Sequence, residues 1–161
     1  MTLQPEDIVD YRIRLLGGLR AFGANYAEFT RRFAKYLGLH STDAAALVEI
    51  LYAEDSGAPL SPARLAERIS LSSGATNAVL NRLENAGHVV RSREHADRRI
   101  VTLHSSVDIQ GPAIAFFTPL SQHLDAMLIR YSSEQLDQFE AFLDQLRTST
   151  TDALAEPDPE P

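Results

Sequence analysis

The chain contains no cysteine among its 161 residues. Disulfide bonds, zinc–thiolate clusters and thiol-based redox sensing are therefore excluded. The sequence also lacks an uninterrupted apolar run of about 18 residues, which a membrane-spanning helix requires. Its first residues, MTLQPEDIVD, carry acidic side chains where a secretion signal needs a basic flank. We therefore expect a cytoplasmic protein that does not bind membranes.

Positive charge is scarce over the whole chain but is concentrated in its middle. The formal net charge is −7, which by itself argues against a polyanionic partner. Residues 60–104, however, carry seven arginines against four acidic residues, whereas residues 105–161 carry two arginines against ten acidic residues. Because DNA responds to local charge, the middle segment is suited to face a polyanion and the last third is not.

Apolar residues at helical spacing predict helices on both sides of this middle segment. Residues 6–37 read as one long helix, bent or broken near 17–23, where three glycines fall. A second helix is expected after the capping residues of Ser41-Thr42-Asp43. The last two predicted helices cover 112–131 and 133–148.

Two short helices joined by a tight turn are predicted within the middle segment. Ser61-Pro62 is typical of a helix start, with serine as the N-cap and proline in the first helical position. Ser72-Ser73-Gly74 caps the next helix, and Gly87 ends it. Two β-rich segments, 88–93 and 99–104, then read as a hairpin around the polar residues EHADR. This is the order of elements in a winged helix-turn-helix.

The second helix of such a pair fits the major groove of DNA and presents side chains from its N-terminal half to base edges. Asparagine can pair with adenine through two hydrogen bonds, while serine and threonine contact phosphates or bases less selectively. Arginines of the hairpin are long enough to reach phosphates or a narrow minor groove. The predicted DNA-binding residues are Ser61, Arg64, Ser72, Ser73, Thr76, Asn77, Asn81, Arg82, Arg91, Arg93, Arg98 and Arg99.

The run LSSGATNAVLNRLENAGHVVRSREHADRRIVTLH contains a serine-capped helix, the segment Leu80-Asn81-Arg82-Leu83, the turn Ala86-Gly87, a Val-x-Arg strand and an Asp-Arg-Arg tip at 97–99. In these features it resembles the recognition helix and wing of the multiple antibiotic resistance regulator (MarR) family. The resemblance implies that Asp97 braces the wing by pairing with an arginine. It also implies that Arg98 or Arg99 enters the minor groove.

The resemblance extends over roughly residues 8–148 and implies a mainly α fold with a small β-hairpin wing (α+β). In this fold a winged helix-turn-helix is flanked by N- and C-terminal dimerisation helices. The expected division is an N-terminal dimerisation helix (1–40), a DNA-binding lobe (41–104), C-terminal dimerisation helices (105–148) and a disordered acidic, proline-rich tail (149–161).

The apolar stripes of the terminal helices also point to a homodimer. A winged helix of 44 residues (61–104) is too small to bury the apolar positions of 8–37 together with those of 113–146. Association of two copies is the economical way to cover them. A dimer would place two recognition helices about one helical turn apart, which predicts a pseudo-palindromic operator.

Two features depart from the pattern of the family. Ala78 stands where a basic or large polar residue is common, and Asn77 stands where threonine is frequent, so base preference cannot be transferred. After the wing, Leu103-His104-Ser105-Ser106 replaces the usual Leu-Thr and glycine. This difference predicts a longer exit from the wing.

The resemblance further implies a response to a small aromatic or anionic effector. Members of the family commonly bind such molecules in a cleft between the dimer helices and the DNA-binding lobe. An aromatic-basic cluster near that junction supplies the expected effector-binding residues, with dimer and core contacts as the alternative interpretation. The residues are Tyr26, Arg31, Arg32, Tyr36 and His40. No other cofactor and no metal are expected.

These features together predict a sequence-specific transcriptional regulator of double-stranded DNA, acting as a ligand-responsive repressor. The alternative is a winged helix used for protein–protein contact without DNA binding. An enzyme is not expected, because the sequence has no HExxH, Gly-rich phosphate loop, GxSxG or paired metal-ligand spacing. His88 and His104 fall in the predicted strands, where we expect them to pack the wing or contact phosphate.

Overall fold

A computed structural model describes residues 4–93 and 101–158 of the chain. Over these residues the predicted mainly α fold with a β-hairpin is confirmed. The chain divides into two compact units, Met1–Ala113 and Ile114–Pro161. The elements are α1 (Pro5–Leu37), α2 (Ser41–Asp55), α3 (Pro62–Arg68), α4 (Ser73–Asn85), β1 (Val89–Ser92), β2 (Thr102–Ser105), α5 (Val107–Leu128) and α6 (Ser133–Ala155).

α1 is one uninterrupted helix of 33 residues. The predicted break at residues 17–23 is therefore wrong, whereas the alternative of a bend there stays a prediction. Each of the three glycines there costs about 1 kcal/mol of helix propensity relative to alanine, and the helical segments on both sides offset that cost. The helix ends at Gly38, whose φ of 67° lies in the left-handed region that favours glycine.

The core of the first unit is built around α2. Seven of the 15 residues of this helix are buried, and one of them is the charged Asp43. Apolar residues occupy most sides of α2, so the helix is covered on most sides. The largest fully buried apolar side chains of the unit come from α1 to α5 and from β2, and they are Phe33, Leu47, Ile50, Leu65, Leu80, Leu83, Leu103 and Ile109.

α3 and α4 begin at the two predicted serine caps. Ser61 Oγ accepts a hydrogen bond from the amide of Arg64 at 3.3 Å, and Ser72 Oγ accepts one from the amide of Ala75 at 3.2 Å. Ser70, with a φ of 52°, reverses the chain between the two helices. The helix-turn-helix therefore forms where the capping pattern predicts it.

β1 and β2 form an antiparallel hairpin in which Val89 pairs with Ser105 and Ser92 pairs with Thr102. Strand β2 is also attached to the start of the helix-turn-helix, because the amide of Leu103 donates to the carbonyl of Leu60 at 2.8 Å. The hairpin therefore packs on the helix-turn-helix by backbone as well as by side-chain contacts.

The exit from the hairpin is short, so the predicted long exit is wrong. α5 begins at Val107, directly after Ser106. The side chain and the amide of Ser106 both bond back to the start of β1, at 2.6 Å to the carbonyl of Gly87 and 2.9 Å to that of His88. Serine thus closes the hairpin here without the glycine that is frequent in the family.

The first turns of α5 belong to the first unit, since Ile109 is buried in its core. The unit boundary therefore falls after residue 113 rather than at the predicted 104. α6 begins with a capping box in which Ser132 and Gln135 exchange hydrogen bonds. None of the described helices is long and apolar enough to cross a membrane.

The predicted disordered tail is wrong for residues 149–155, because α6 continues to Ala155. Threonine hydroxyls in this segment bond back to carbonyls one turn earlier, for example Thr151 Oγ1 to the carbonyl of Arg147 at 2.9 Å. These bonds let the threonines remain in the helix. Pro157 follows shortly after the last turn, where a proline cannot continue a helix.

Candidate nucleic-acid interface

α4 has one buried face and one exposed polar face. Val79, Leu80 and Leu83 are buried against the rest of the first unit. The predicted contact residues Ser73, Asn77 and Asn81 are exposed. Asn77 makes no side-chain hydrogen bond to any described residue, so both its amide oxygen and its amide N–H groups are available. A helix with this arrangement can place amide groups against base edges in a major groove.

Thr76 does not belong to this exposed face, and its prediction as a DNA contact is wrong. Only 1% of its surface is exposed. Its hydroxyl donates to the carbonyl of Ser72 at 3.0 Å, one turn earlier in α4. Threonine is polar enough to look like a surface residue in sequence, but the hydrogen bond within the helix allows it to be buried.

Ser61 and Ser72 hold the first turns of α3 and α4 by accepting backbone hydrogen bonds. Each hydroxyl keeps its own proton as a donor for phosphate. Ser73 follows directly at the exposed N-terminus of α4, where unpaired backbone amides and the helix dipole favour an anion. These serines therefore combine a structural contact with a position suited to phosphate.

Arg82, which was predicted to contact DNA, binds Asp43 of α2 instead. Its Nε donates to Asp43 Oδ2 at 2.9 Å and its Nη2 donates to Asp43 Oδ1 at 2.6 Å. The Asp43 side chain is only 3% exposed. Its hydrogen bonds with Arg82 raise the pKa of the guanidinium above its ordinary value. Two of its N–H donors hold α4 on α2, which leaves the guanidinium less available for DNA than the sequence predicted.

Arg91 is likewise bound within the protein, to two residues of α4. Its Nη2 donates to Asn81 Oδ1 at 3.2 Å and lies 3.5 Å from Glu84 Oε2. This contact occupies the amide oxygen of Asn81 and leaves its NH₂ group as the donor for DNA. Asn81 is thereby suited to base acceptors or phosphates, whereas the two-bond pairing with adenine is left to Asn77.

The other predicted cations differ in how far they are engaged. Arg64 pairs with Glu67 at 3.1 Å, but its side chain is 73% exposed and the pair is a weak surface contact. Arg93, directly after β1, is exposed. The wing-tip residues Asp97, Arg98 and Arg99 lie outside the described residues. Their assignments therefore remain predictions from the sequence.

Three carboxylates of α2 each bind a different element of the winged helix. Asp43 binds Arg82 of α4, and Glu49 accepts from Arg68 of α3 at 3.1 Å. Glu54 bonds to β2, where it lies 3.0 Å from His104 Nδ1. Sequence reasoning missed these acidic residues and Arg68. The available signal was the occurrence of charged residues within the otherwise apolar run AAALVEILYAED.

A cleft of about 450 Å³ opens in the first unit between α1, α2 and the turn after α3. Its polar groups include Tyr26 and the Glu49–Arg68 pair. Burial, Glu49 and Tyr52, in that order, raise the pKa of the Tyr26 phenol, which is therefore neutral at physiological pH. The lining residues are Tyr26, Thr30, Ser41, Thr42, Ala45, Val48, Glu49, Arg68, Ile69 and Leu71.

Of the five predicted effector residues, only Tyr26 lines this cleft. Tyr26 and Thr30 are one helical turn apart, whereas the next two residues, Arg31 and Arg32, point about 100° and 200° further round α1. Both arginines pair with the half-buried Glu28, at 2.6 and 2.9 Å. The hydrogen bond from Arg32 and the charge of Arg31 lower the pKa of Glu28.

Tyr36 and His40 are also not among the lining residues of the cleft. Arg31, Arg32, Tyr36 and His40 therefore do not share this cleft with Tyr26, and their role in effector binding stays a prediction. The cationic side chain that lines the cleft is that of Arg68. This residue belongs to α3 and not to the predicted aromatic-basic cluster of α1.

Comparisons with known proteins agree with this geometry. A model of the MarR family matches residues 37–100. The HTH-type transcriptional regulator YcgE of Bacillus subtilis is 29% identical over 124 residues, which cover 77% of this chain and 78% of YcgE.

Solved structures share the fold. A MarR family protein from Bacillus stearothermophilus has a TM-score of 0.59 and 21% identity, over 92% of this chain and 99% of that one. A point mutant of S. aureus MepR bound to an oligodeoxyribonucleotide has a TM-score of 0.51 and 15% identity, over 82% and 94% of the two chains. Over residues 37–100 the chain is therefore similar to the MarR family of transcriptional regulators, and it shares the winged helix-turn-helix fold of these solved structures.

Proposed function

We propose that this protein is a transcriptional repressor that binds a pseudo-palindromic operator in double-stranded DNA as a homodimer. The observation that carries the proposal is the exposed face of α4, on which Ser73, Asn77 and Asn81 lie opposite a fully buried apolar face. A helix of this kind, capped by serine and followed by a hairpin, is suited to reading a major groove. Similarity to the MarR family over residues 37–100 and the DNA-bound structure of MepR support the proposal.

Local charge at α4 and the hairpin favours DNA binding despite the negative net charge of the chain. Asp43 and Glu84 neutralise Arg82 and Arg91. Arg93 remains exposed beside the hairpin, and the sequence adds Arg98 and Arg99 at its tip. Phosphate binding therefore rests on the hairpin and on the N-terminus of α4, while base reading rests on Asn77 and Asn81.

The homodimer is supported by the apolar surface of the terminal helices. None of the described residues from 114 to 158 is buried in the single chain. A helix of 23 residues without a buried residue, such as α6, gains little tertiary stabilisation on its own. The large exposed apolar side chains of α6 include Phe139, Phe142, Leu143 and Leu154. Such a surface is typical of an interface between protein chains.

The cleft beside α2 supports a response to a small molecule. Arg68 can bind an anionic group, and Val48, Ile69 and Leu71 offer an apolar wall to an aromatic ring. Arg68 ends α3 and contacts Glu49 of α2, so a ligand that binds Arg68 competes with a contact that holds the helix-turn-helix. A small aromatic acid is therefore the proposed effector class.

The proposal is tested by fluorescence anisotropy of the intact protein with DNA from upstream of its own gene and with random DNA of equal length. We expect binding to the upstream DNA that is at least about 10³-fold tighter than binding to random DNA. Equal and weak binding of both DNAs would instead favour a winged helix used for protein contact. Adding aromatic acids to the complex tests the effector, which should reduce the affinity for the upstream DNA.

A further inference from the structure

A single carboxylate attaches strand β2 of the hairpin to the end of α2. Glu54 Oε1 lies 3.0 Å from His104 Nδ1, and Glu54 Oε2 accepts from the amide of Ser105 at 2.9 Å. Because a carboxylate only accepts hydrogen bonds, the proton of this pair lies on the imidazole nitrogen. Both oxygens of Glu54 are thus used to hold two consecutive residues of one strand.

The same set of hydrogen bonds continues to strand β1. His104 Nε2 lies 3.1 Å from Thr102 Oγ1, and that hydroxyl faces the carbonyl of Ser92 at 3.5 Å. Thr102 and Ser105 are buried, with 6% and 8% of their surface exposed. These contacts therefore reach across the hairpin, where the side chains of His104 and Glu54 are partly shielded from water, with 30% and 20% of their surface exposed.

A two-stranded hairpin has little stability of its own, so its orientation depends on what holds its base. Here the base is held by the backbone bond from Leu103 to Leu60, by Ser106 and by Glu54. Among these, the contact of Glu54 with His104 is made by side chains on both partners. It is therefore the contact that a substitution can remove while the backbone pairing remains.

α2 also holds the recognition helix, through Asp43 and Arg82. Asp43 and Glu54 are 11 residues apart in this helix, which corresponds to about 16 Å along its axis. The two elements expected to touch DNA are thus attached to one rigid helix at a fixed separation.

We infer that Glu54 and His104 are positioning residues, which fix the hairpin on α2 at the angle at which its cations meet the DNA backbone. The inference rests on the proposed function.

The test compares Glu54→Ala with Asp55→Ala. Asp55 is the adjacent, exposed carboxylate of α2, so both variants remove one negative charge near the DNA. We expect Glu54→Ala to weaken operator binding roughly fivefold at physiological salt for each phosphate that the hairpin no longer reaches. The slope of log K against log salt should fall by about 0.9 for each of these phosphates. Asp55→Ala should leave both quantities unchanged or bind slightly more tightly.

His104 supplies a second comparison. His104→Ala should weaken binding in the same direction as Glu54→Ala but by no more, because Glu54→Ala also removes the bond to the Ser105 amide. The double variant should be no weaker than Glu54→Ala alone. His104→Asn can place an amide N–H near the position of Nδ1, and it should restore most of the affinity and salt slope. Thermal unfolding of each variant shows whether the fold is kept.

Variants that bind the operator with unchanged affinity and salt slope would overturn the inference, even if their melting temperature is lower. Hydrogen exchange distinguishes a failure of this inference from a failure of the proposed function, because it is measured on the free protein without DNA. The proposed function fails if the unchanged protein binds no DNA. The positioning of the hairpin fails if the amide of Ser105 is protected as well in Glu54→Ala as in the unchanged protein.

Discussion

Arg82 of the recognition helix α4 binds both carboxylate oxygens of Asp43 on α2, at 2.9 and 2.6 Å. The two partners differ in their surroundings, since the side chain of Asp43 is 3% exposed and that of Arg82 is 48% exposed. The pair therefore does not behave symmetrically when one partner is removed. Without its partner, the arginine can turn to water, whereas the carboxylate remains buried.

This asymmetry predicts a larger loss of stability for Arg82→Met than for Asp43→Asn. Arg82→Met leaves a buried carboxylate without its charge partner, and it should therefore lower the free energy of unfolding more than Asp43→Asn does. Asp43→Asn removes the charge but keeps a hydrogen-bonding oxygen, and should cost about 1–3 kcal/mol. Urea unfolding of both variants measures the difference. Arg64→Met, at an exposed surface pair, is the control and should cost less than about 1 kcal/mol. Equal losses for Arg82→Met and Arg64→Met would contradict the prediction.

The local elements could be predicted because their signals are local. Ser61 and Ser72 each sit beside the turn they cap, and the change from helical to alternating spacing after Gly87 marks the hairpin. Contacts between elements carry no such signal. Nothing in the spacing of α2 and α4 indicates that Asp43 and Arg82 are in contact. The sequence alone therefore predicted Arg82 to be a cation available for DNA.

The sequence also did not show which polar side chains of a helix are buried and which are exposed. Thr76 and Asn77 are neighbours with similar polarity, yet one is buried and the other exposed. Helical spacing distinguishes them only once the buried face of α4 is known. A similar reason separates Arg31 and Arg32 from the cleft that Tyr26 lines, because they are close to Tyr26 in sequence but not on the same side of α1.

Tyr26 predicts a specific dependence of stability on alkaline pH. Its pKa is raised by burial, Glu49 and Tyr52, so the folded protein holds the phenolic proton more tightly than the unfolded chain. This contribution is fully present below the ordinary tyrosine pKa of about 10 and is lost as pH rises through the higher folded-state value. The loss of stability between about pH 9 and pH 11 should therefore be smaller in Tyr26→Phe, as measured by urea unfolding. Tyr131→Phe controls for the removal of one tyrosine, and an identical pH dependence in Tyr26→Phe and the unchanged protein would contradict the assignment.

The exposed apolar residues of α6 predict a dimer that a single added charge weakens. Leu143 is 53% exposed in the single chain, and burying a leucine in an interface contributes about 1.5–3 kcal/mol. Leu143→Glu should raise the dimer dissociation constant at least about tenfold. Gln145→Glu adds the same charge at an exposed polar position of α6 and should have little effect. Light scattering on the intact chain decides this, and a monomeric unchanged protein at micromolar concentration would refute the dimer.

The absence of cysteine predicts that DNA affinity does not respond to thiol oxidants. Treatment with diamide should leave the anisotropy titration unchanged within error. A large loss of binding that dithiothreitol reverses would contradict this expectation. Hydrogen peroxide is a separate comparison, because it can oxidise the two methionines.

Base reading and phosphate binding should separate between α4 and the hairpin. Asn77→Ala removes an exposed amide that faces no described partner, so it should cost about 1–3 kcal/mol on the preferred operator and flatten the preference at one base pair per half-site. Arg93→Ala, Arg98→Ala and Arg99→Ala should instead weaken binding to operator and random DNA by similar factors. Each phosphate that is no longer bound should lower the slope of log K against log salt by about 0.9, doubled in a symmetric dimer.

The salt dependence is the sharper measurement, because Asn77→Ala carries no change of charge and should leave the slope as it is. Titrations of all four variants on both DNAs across salt concentrations therefore distinguish the two kinds of contact. Arg64, whose pair with Glu67 is a weak surface contact, is a further predicted DNA contact, and Arg64→Ala should lower the slope in the same way as the hairpin variants. If the hairpin variants keep both the affinity and the slope of the unchanged protein, the hairpin does not touch DNA and its arginines are only solvated.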